Sequence, residues 1–212
     1  MVWWRKRNAY PKNILIIFFS LHMAISNKLI IITAPSGAGK TSITRYLMNK
    51  FPQLSFSISA ATRQARSEET NGKDYYFMSM DEFKQKIQHN EFVEWEMVYE
   101  GKYYGTLKSE MERIWSESKI PVLDIDVQGA IHVQQQYPES SLVLFIEPPS
   151  EAELRKRLQS RGTESLESLE TRVGKAHYEL SFKNQFDKLI LNADLQTACE
   201  NAETIVNTFI KE

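Results

Sequence analysis

Residues 34–42 read "APSGAGKTS", and their types suit one kind of chemistry. The pattern G-x-x-x-x-G-K-[ST] surrounds a polyphosphate with backbone N–H groups, reaches the outer phosphates with its lysine and offers its hydroxyl to Mg²⁺. Gly39, Lys40 and Thr41 fit, while Ala34 stands where the first glycine belongs. Gly37 and Gly39 let the backbone approach a ligand with no Cβ in the way, and one methyl at Ala34 is tolerable if φ is negative there. Ala34, Pro35, Ser36, Gly37, Ala38, Gly39, Lys40, Thr41 and Ser42 are therefore the expected ATP-binding stretch, with Thr41 at the metal, mostly through phosphates and water. The plainer alternative is a glycine-rich turn with an incidental lysine. Asp124 and Asp126 in "PVLDID" fall where a parallel strand would end, the usual place for chemistry in such sheets. Asp124 is a possible outer partner of the metal; read alone, either residue also suits a solvated strand end.

These groups need a frame. "KLIIIT" (28–33) reads as a buried strand, followed by the glycine loop and then "KTSITRYLMNKF" at helical spacing. Strand, loop and helix in that order form the context a phosphate cradle requires. "SFSIS" (55–59) alternates like another strand, and residues 60–107 carry short strand-like runs and one helix opened by Ser79 with Glu82, a capping box. The segment reads as an inserted lobe of mostly antiparallel strands. "IPVLDID" (120–126), "SLVLFI" (141–146) and "DKLILN" (187–192) read as further core strands, with Ser150 and Glu153 capping the helix "EAELRKRLQSR". In the last helix Ala198, Ala202, Ile205, Val206, Phe209 and Ile210 share one face. Strands alternating with helices predict an α/β fold: a parallel sheet between helical layers, an inserted mixed or antiparallel lobe and a helical lid.

The cradle alone fits any P-loop NTPase or kinase. "SISAATRQAR", "NGKDYYF", "EFVEWE", "YYGT" and "LDIDVQG", in that order and spacing, resemble the guanylate kinase family, and "RGTES" is similar to that family's lid. The resemblance runs from about residue 28 to the C-terminus. It implies ATP-dependent phosphorylation of GMP, and of dGMP, with Mg²⁺ as cofactor. It further implies that Arg63 and Arg66 clamp the acceptor's phosphate, a task suited to a guanidinium fork, and that Tyr75 and Tyr104 donate hydroxyls to it. Glu94 would read guanine, whose N1–H and N2 amine are two adjacent donors for one carboxylate. Ser59 and Thr106 would add polar contacts to the base, and Asp124 and Asp126 would complete the acceptor site. Lys40, Arg63, Arg157, Arg161 and Arg172 would be the catalytic cations, and Asn192 would touch the donor's adenine. Out of context, the arginine pairs suit solvated faces, the tyrosines a core, and Glu94 an exposed strand. Ala60–Ala61, Gln64–Ala65 and Ser67–Glu68 depart from the family's usual residues.

The resemblance divides the chain into a core (28–56, 108–154 and 176–212), a GMP-binding lobe (57–107) and a lid (155–175). Two rivals remain at this level. A scaffold-type domain of the same fold would bind protein instead of nucleotide, and a kinase for another monophosphate would turn on Glu94 and Ser59. With 26 Lys plus Arg against 27 Asp plus Glu, the net charge of -1 gives no reason to expect nucleic acid or an anionic membrane. Cys199 is the only cysteine, so neither an intrachain disulfide nor a cysteine-built metal site is available. Residues 1–27, with "WWRKR" and "ILIIFF", read as a leader or an over-long translation start, since the apolar run is far shorter than the roughly 20 residues that span a bilayer. The expectation is a cytoplasmic monomer or homodimer.

Overall fold

The computed structural model describes residues 27–160, 166–186 and 188–212. In it the run "LIIIT" forms β1 (Leu29–Thr33), buried throughout. Period-2 alternation sends Ile30 and Ile32 to one apolar cluster and Leu29 and Ile31 to another. A strand buried on both faces has no polar side to show, which is why its sequence is a continuous apolar run. The loop after β1 opens α1 (Lys40–Lys50), and β2 (Leu54–Phe56) follows. The lobe then holds β3 (Ala60–Ala61), β4 (Tyr76–Phe77), α2 (Met80–Gln88), β5 (Phe92–Tyr99) and β6 (Lys102–Leu107). The core resumes with α3 (Lys108–Ser116), β7 (Ile120–Asp124), α4 (Val127–Gln136) and β8 (Ser141–Glu147). It ends with α5 (Glu151–Gln159), α6 (Leu166–Leu180), β9 (Lys188–Leu191) and α7 (Leu195–Lys211).

The central sheet is parallel in the order β2-β7-β1-β8-β9. Ile43 and Leu47 of α1 with Ala198, Ala202 and Val206 of α7 cover one face. Met111 of α3 with Ala130 and Val133 of α4 cover the other. The α/β expectation is met, and the apolar stripe of α7 packs as its spacing predicts, with Ile205, Phe209 and Ile210 partly buried against the same cluster. Both serines cap as expected: Ser79 accepts from the Glu82 N–H and Ser150 from the Glu153 N–H, each at 3.1 Å. Such a cap stabilises its helix by about 1 kcal/mol. Among the described residues no helix is long and apolar enough to cross a membrane.

The lobe sheet, β4-β3-β6-β5, is mixed and mostly antiparallel, as expected: β3 pairs parallel with β4, while β6 pairs antiparallel with β3 and β5. One strand differs from its sequence reading. The strand expected over 55–59 is only Leu54–Phe56. One more bond follows it, from the Ser57 N–H to the Val122 carbonyl at 2.9 Å, and the Ile58 N–H then donates to the Glu110 carboxylate at 3.0 Å.

Candidate active site

The loop between β1 and α1 is shaped by its glycines. Gly37 and Gly39 adopt φ of +90° and +98°, the left-handed region that disfavours a Cβ. The space is also taken. A Cβ on Gly37 would meet Leu154 and Leu158 of α5 at 3.1 Å, and one on Gly39 would collide with the Asn192 amide. Ala34 is absent from the positive-φ residues and lies 6% exposed, so its methyl is accommodated. α1 begins without a side-chain cap or an acid in its first turn. Its first N–H groups and positive dipole end therefore face the loop uncompensated, the condition for an anion site.

Lys40 reaches across to the end of β7. Its Nζ lies 2.5 Å from Asp124 Oδ1 and donates to the Ile125 carbonyl at 3.1 Å. Asp124 closes β7 at the strand end expected for it. Asp126 does not extend that strand; it is the N-cap of α4, where its carboxylate accepts from the Gly129 N–H at 2.9 Å.

A cleft of about 600 Å³ joins loop and lobe. Lys40 and Thr41 of the loop end line it together with Ser59, Tyr75, Glu94 and Tyr104 of the lobe and with Asp124 and Asp126. Glu94 is 6% exposed and accepts from the Thr106 hydroxyl at 2.6 Å. Burial pushes its carboxyl up to about 7; the Thr106 hydroxyl opposes that shift, and the charges of Asp126 and Glu96 add to it. Its Oε2 lies where a Cβ on Gly129 would come within 2.8 Å, so only glycine at that point of α4 leaves room for the carboxylate. Glu96 points into the same cleft, 3.3 Å from His132 Nδ1 on α4.

Arg63, Tyr75 and Tyr104 also converge. The Arg63 guanidinium sits 4.7 Å from the Tyr75 ring centroid, and its Nε donates to the Tyr104 hydroxyl at 3.2 Å. The fork expected to grip a phosphate holds Glu69 instead, at 2.5 and 2.7 Å, and Nη1 also reaches the Gln64 carbonyl. Four of the guanidinium's five donors are thus engaged. Glu69 is drawn down to about 2, by Arg63 first and then by the Arg66 N–H. The Arg66 side chain is exposed beside it.

The remaining expected residues lie behind or beside the loop. The Asn192 amide, expected at an adenine, is buried and donates to the Ala38 carbonyl at 2.7 Å, bracing the loop from behind. Arg157 pairs with Glu153 at 2.9 Å and donates to the Asn192 carbonyl at 3.1 Å. Arg172 is half-buried on α6. Arg161 lies outside the described residues, as do residues 1–26, and α5 ends at Gln159. The two helices, Glu151–Gln159 and Leu166–Leu180, straddle both ends of the expected lid and pack on each other through Leu154, Leu158, Leu169, Val173 and Ala176.

A second cavity of about 230 Å³ lies over the loop, lined by Ser36, Gly37, Lys40, Thr41 and, from α6, Lys175 and Glu179. Sequence spacing did not single out those two, nor Glu69, Glu96, Gly129 or Glu110. Glu110 is buried on α3 and accepts from the Ile58 N–H, the Tyr76 hydroxyl at 2.9 Å and the Arg113 guanidinium at 2.8 Å. Nothing local marks such residues, because their partners are distant in the chain; Gly129 alone had a signal, as the last residue of "LDIDVQG".

The phosphate cradle and the buried carboxylate in one cleft agree with what sequence comparison finds. A family model described as guanylate kinase matches residues 26–209. The chain belongs to the guanylate kinase family. It is 50% identical over 184 residues to the guanylate kinase of Porphyromonas gingivalis, covering 86% of this chain and 98% of that one. The guanylate kinase of Thermotoga maritima is 40% identical over 184 residues, covering 87% and 88%. The crystal structure of guanylate kinase from Anaplasma phagocytophilum superposes with a TM-score of 0.71 at 27% identity, covering 88% of each chain. The family resemblance carried by the short motifs thus extends to the whole described fold.

Proposed function

We propose that the chain moves the γ-phosphoryl group of ATP to GMP, and to dGMP, giving ADP and the corresponding diphosphate. The single observation that carries this reading is the shared cleft: Lys40 and Thr41 line it together with the buried Glu94, which accepts from Thr106. In this reading the loop N–H groups from Ser36 to Thr41 and the start of α1 receive the triphosphate. Lys40 leaves Asp124 for the outer phosphates. Glu94 accepts from guanine N1–H and N2, with Ser59, Thr106 and Asp126 around the base. Adenine has a bare acceptor at N1 and meets a carboxylate there, so discrimination of about 10⁴-fold is attainable.

Arg63, Arg66, Tyr75 and Tyr104 take the acceptor's phosphate, which requires Arg63 to share its fork with Glu69 or release it. A phosphate oxygen of GMP attacks the γ-phosphorus, the bond to the β-phosphate oxygen breaks, and ADP leaves with that electron pair. The nucleophile is already an anion, so alignment and charge neutralisation suffice without a strong base. Arg157, Arg161 and Arg172 supply positive charge around the migrating group and, in a lid over 155–175, exclude water. Lobe 57–107 and the core segments 28–56, 108–154 and 176–212 complete this division. Asn192 serves the donor site by fixing the loop.

Mg²⁺ fits this residue set. Among the described residues no group of three or more His, Cys, Asp or Glu is arranged to hold a metal. The exposed Thr41 hydroxyl at the start of α1 is placed to hold an ion otherwise bound by phosphate and water. When bound, Mg²⁺ would offset the charge of the outer phosphates. A coupled ADP-release assay with GMP, dGMP, AMP, UMP and CMP tests the proposal. Turnover with the two guanine nucleotides alone is expected; absence of turnover with GMP overturns it.

A further inference from the structure

One carboxylate in the donor cavity has no task in that scheme. Glu179, on the last turns of α6, is 6% exposed, and its Oε2 is buried with no hydrogen-bond partner among the described residues. It shares the 230 Å³ cavity with Ser36, Gly37, Lys40 and Thr41. Lys175, one helical turn earlier, lies 3.8 Å from the other oxygen, at the outer limit of an ion pair. Burial pushes the carboxyl up and Asp126 adds to that, while Lys175, Lys40 and the Ser36 N–H favour the charged form. Buried carboxylates are normally fully paired, so an orphan acceptor inside a cradle for anions needs a reason.

Electrostatics supplies it. The Glu179 charge sits in the positive potential of the loop N–H groups and the start of α1. A triphosphate uses up that potential and brings like charge against a carboxylate that has little water around it. The conflict is relieved by a cation with donor groups on its surface, and a hydrated divalent ion presents water O–H groups to an acceptor-only oxygen. We propose that Glu179 makes triphosphate binding depend on an accompanying divalent cation: its free oxygen accepts from the cation's water, and its charge turns away a triphosphate that arrives bare. The inference rests on the reading of the loop as the ATP site. It makes Glu179 a positioning residue, one that acts on the phosphates through metal-bound water.

The test is equilibrium binding of ATP to the full chain without acceptor, by calorimetry, in excess Mg²⁺ and in EDTA. The parent chain is expected to bind about tenfold or more tightly with Mg²⁺. E179Q is expected to narrow that ratio to about twofold, chiefly by gaining affinity in EDTA, since the repelling charge is gone. E179D keeps the charge and is expected to keep the ratio; E179A provides the same reading as E179Q should the amide variant fold poorly. A merely structural role would shift both affinities together and leave the ratio unchanged, which overturns the proposal, as does a parent ratio near one. No ATP binding by the parent in either buffer would overturn the donor-site reading itself.

Discussion

Replacing Glu94 by glutamine should stabilise the fold while impairing base recognition, and pH should reveal why. The carboxyl is raised from 4.5 to about 7, first by burial. The unfolded chain therefore releases this proton near 4.5 while the folded chain holds it until about 7. Within that window the unfolded state binds fewer protons, so stability falls as pH rises and stays at the lower level above it. The difference, 7 minus 4.5, is 2.5 pH units, or about 3 kcal/mol at 1.36 kcal/mol each. E94Q has no such proton. It still offers an oxygen to the Thr106 hydroxyl, and its amide donor stands where Oε2 and Asp126 crowd the same point beside Gly129. At pH 8.5 the variant is expected to melt roughly 6–12 °C above the parent, at about 2–4 °C per kcal/mol for a chain of this size. The gap should shrink by about half at pH 5.5 and vanish toward pH 4.5, as the parent itself becomes neutral. Thermal melts followed by circular dichroism without nucleotide read this directly. GMP affinity should move the opposite way, falling at least about 10²-fold, because an amide N–H replaces one of two charged acceptors facing guanine donors. A melting gap that ignores pH, or a variant less stable than the parent at pH 8.5, would refute the reasoning.

Other substitutions address single contacts. G129A places a Cβ 2.8 Å from Glu94 Oε2, so the KM for GMP should rise about tenfold with that for ATP unchanged, even though helix propensity alone favours alanine by about 1 kcal/mol; an unchanged KM for GMP would show that the carboxylate is not set by this glycine. N192A leaves the Ala38 carbonyl without its side-chain donor, so a loss of about 1–3 kcal/mol and a raised KM for ATP are expected, and a denaturant titration with no shift in midpoint would contradict it. K40A removes the cation meant for the outer phosphates, and kcat should fall about 10²- to 10³-fold while calorimetric GMP binding persists; retained turnover would move the donor site elsewhere.

What the sequence made legible was whatever is encoded by near neighbours. β1 could be read because a strand buried on both faces leaves an unbroken apolar run, and the two serine caps because their partners are three residues apart. What escaped is encoded across the chain. The Ile58 N–H, just past strand β2, is taken by Glu110, 52 positions away. Asp126 reads as a strand end until the turn to α4 makes it a cap. Arg63 looks like an open clamp, yet Glu69 closes it. Asn192 looks like a base contact, yet it reaches back 154 positions to the loop. Lys175 and Glu179 read as an ordinary i,i+4 pair until α6 is laid over the cradle.

The Glu110 network has a consequence for motion. Both chain crossings into the lobe meet at α3: β6 runs straight into its first turn, and the entering strand is pinned there through the Ile58 N–H. That makes the start of α3 the pivot for any swing of the lobe. The Glu94–Thr106 rung lies next to this axle, whereas Arg63 and Tyr104 lie farther out along the ladder. For a given rotation the inner rung sweeps a short arc and the outer groups a long one. On the proposed function, such a swing would leave the base contacts nearly still while the phosphate contacts travel.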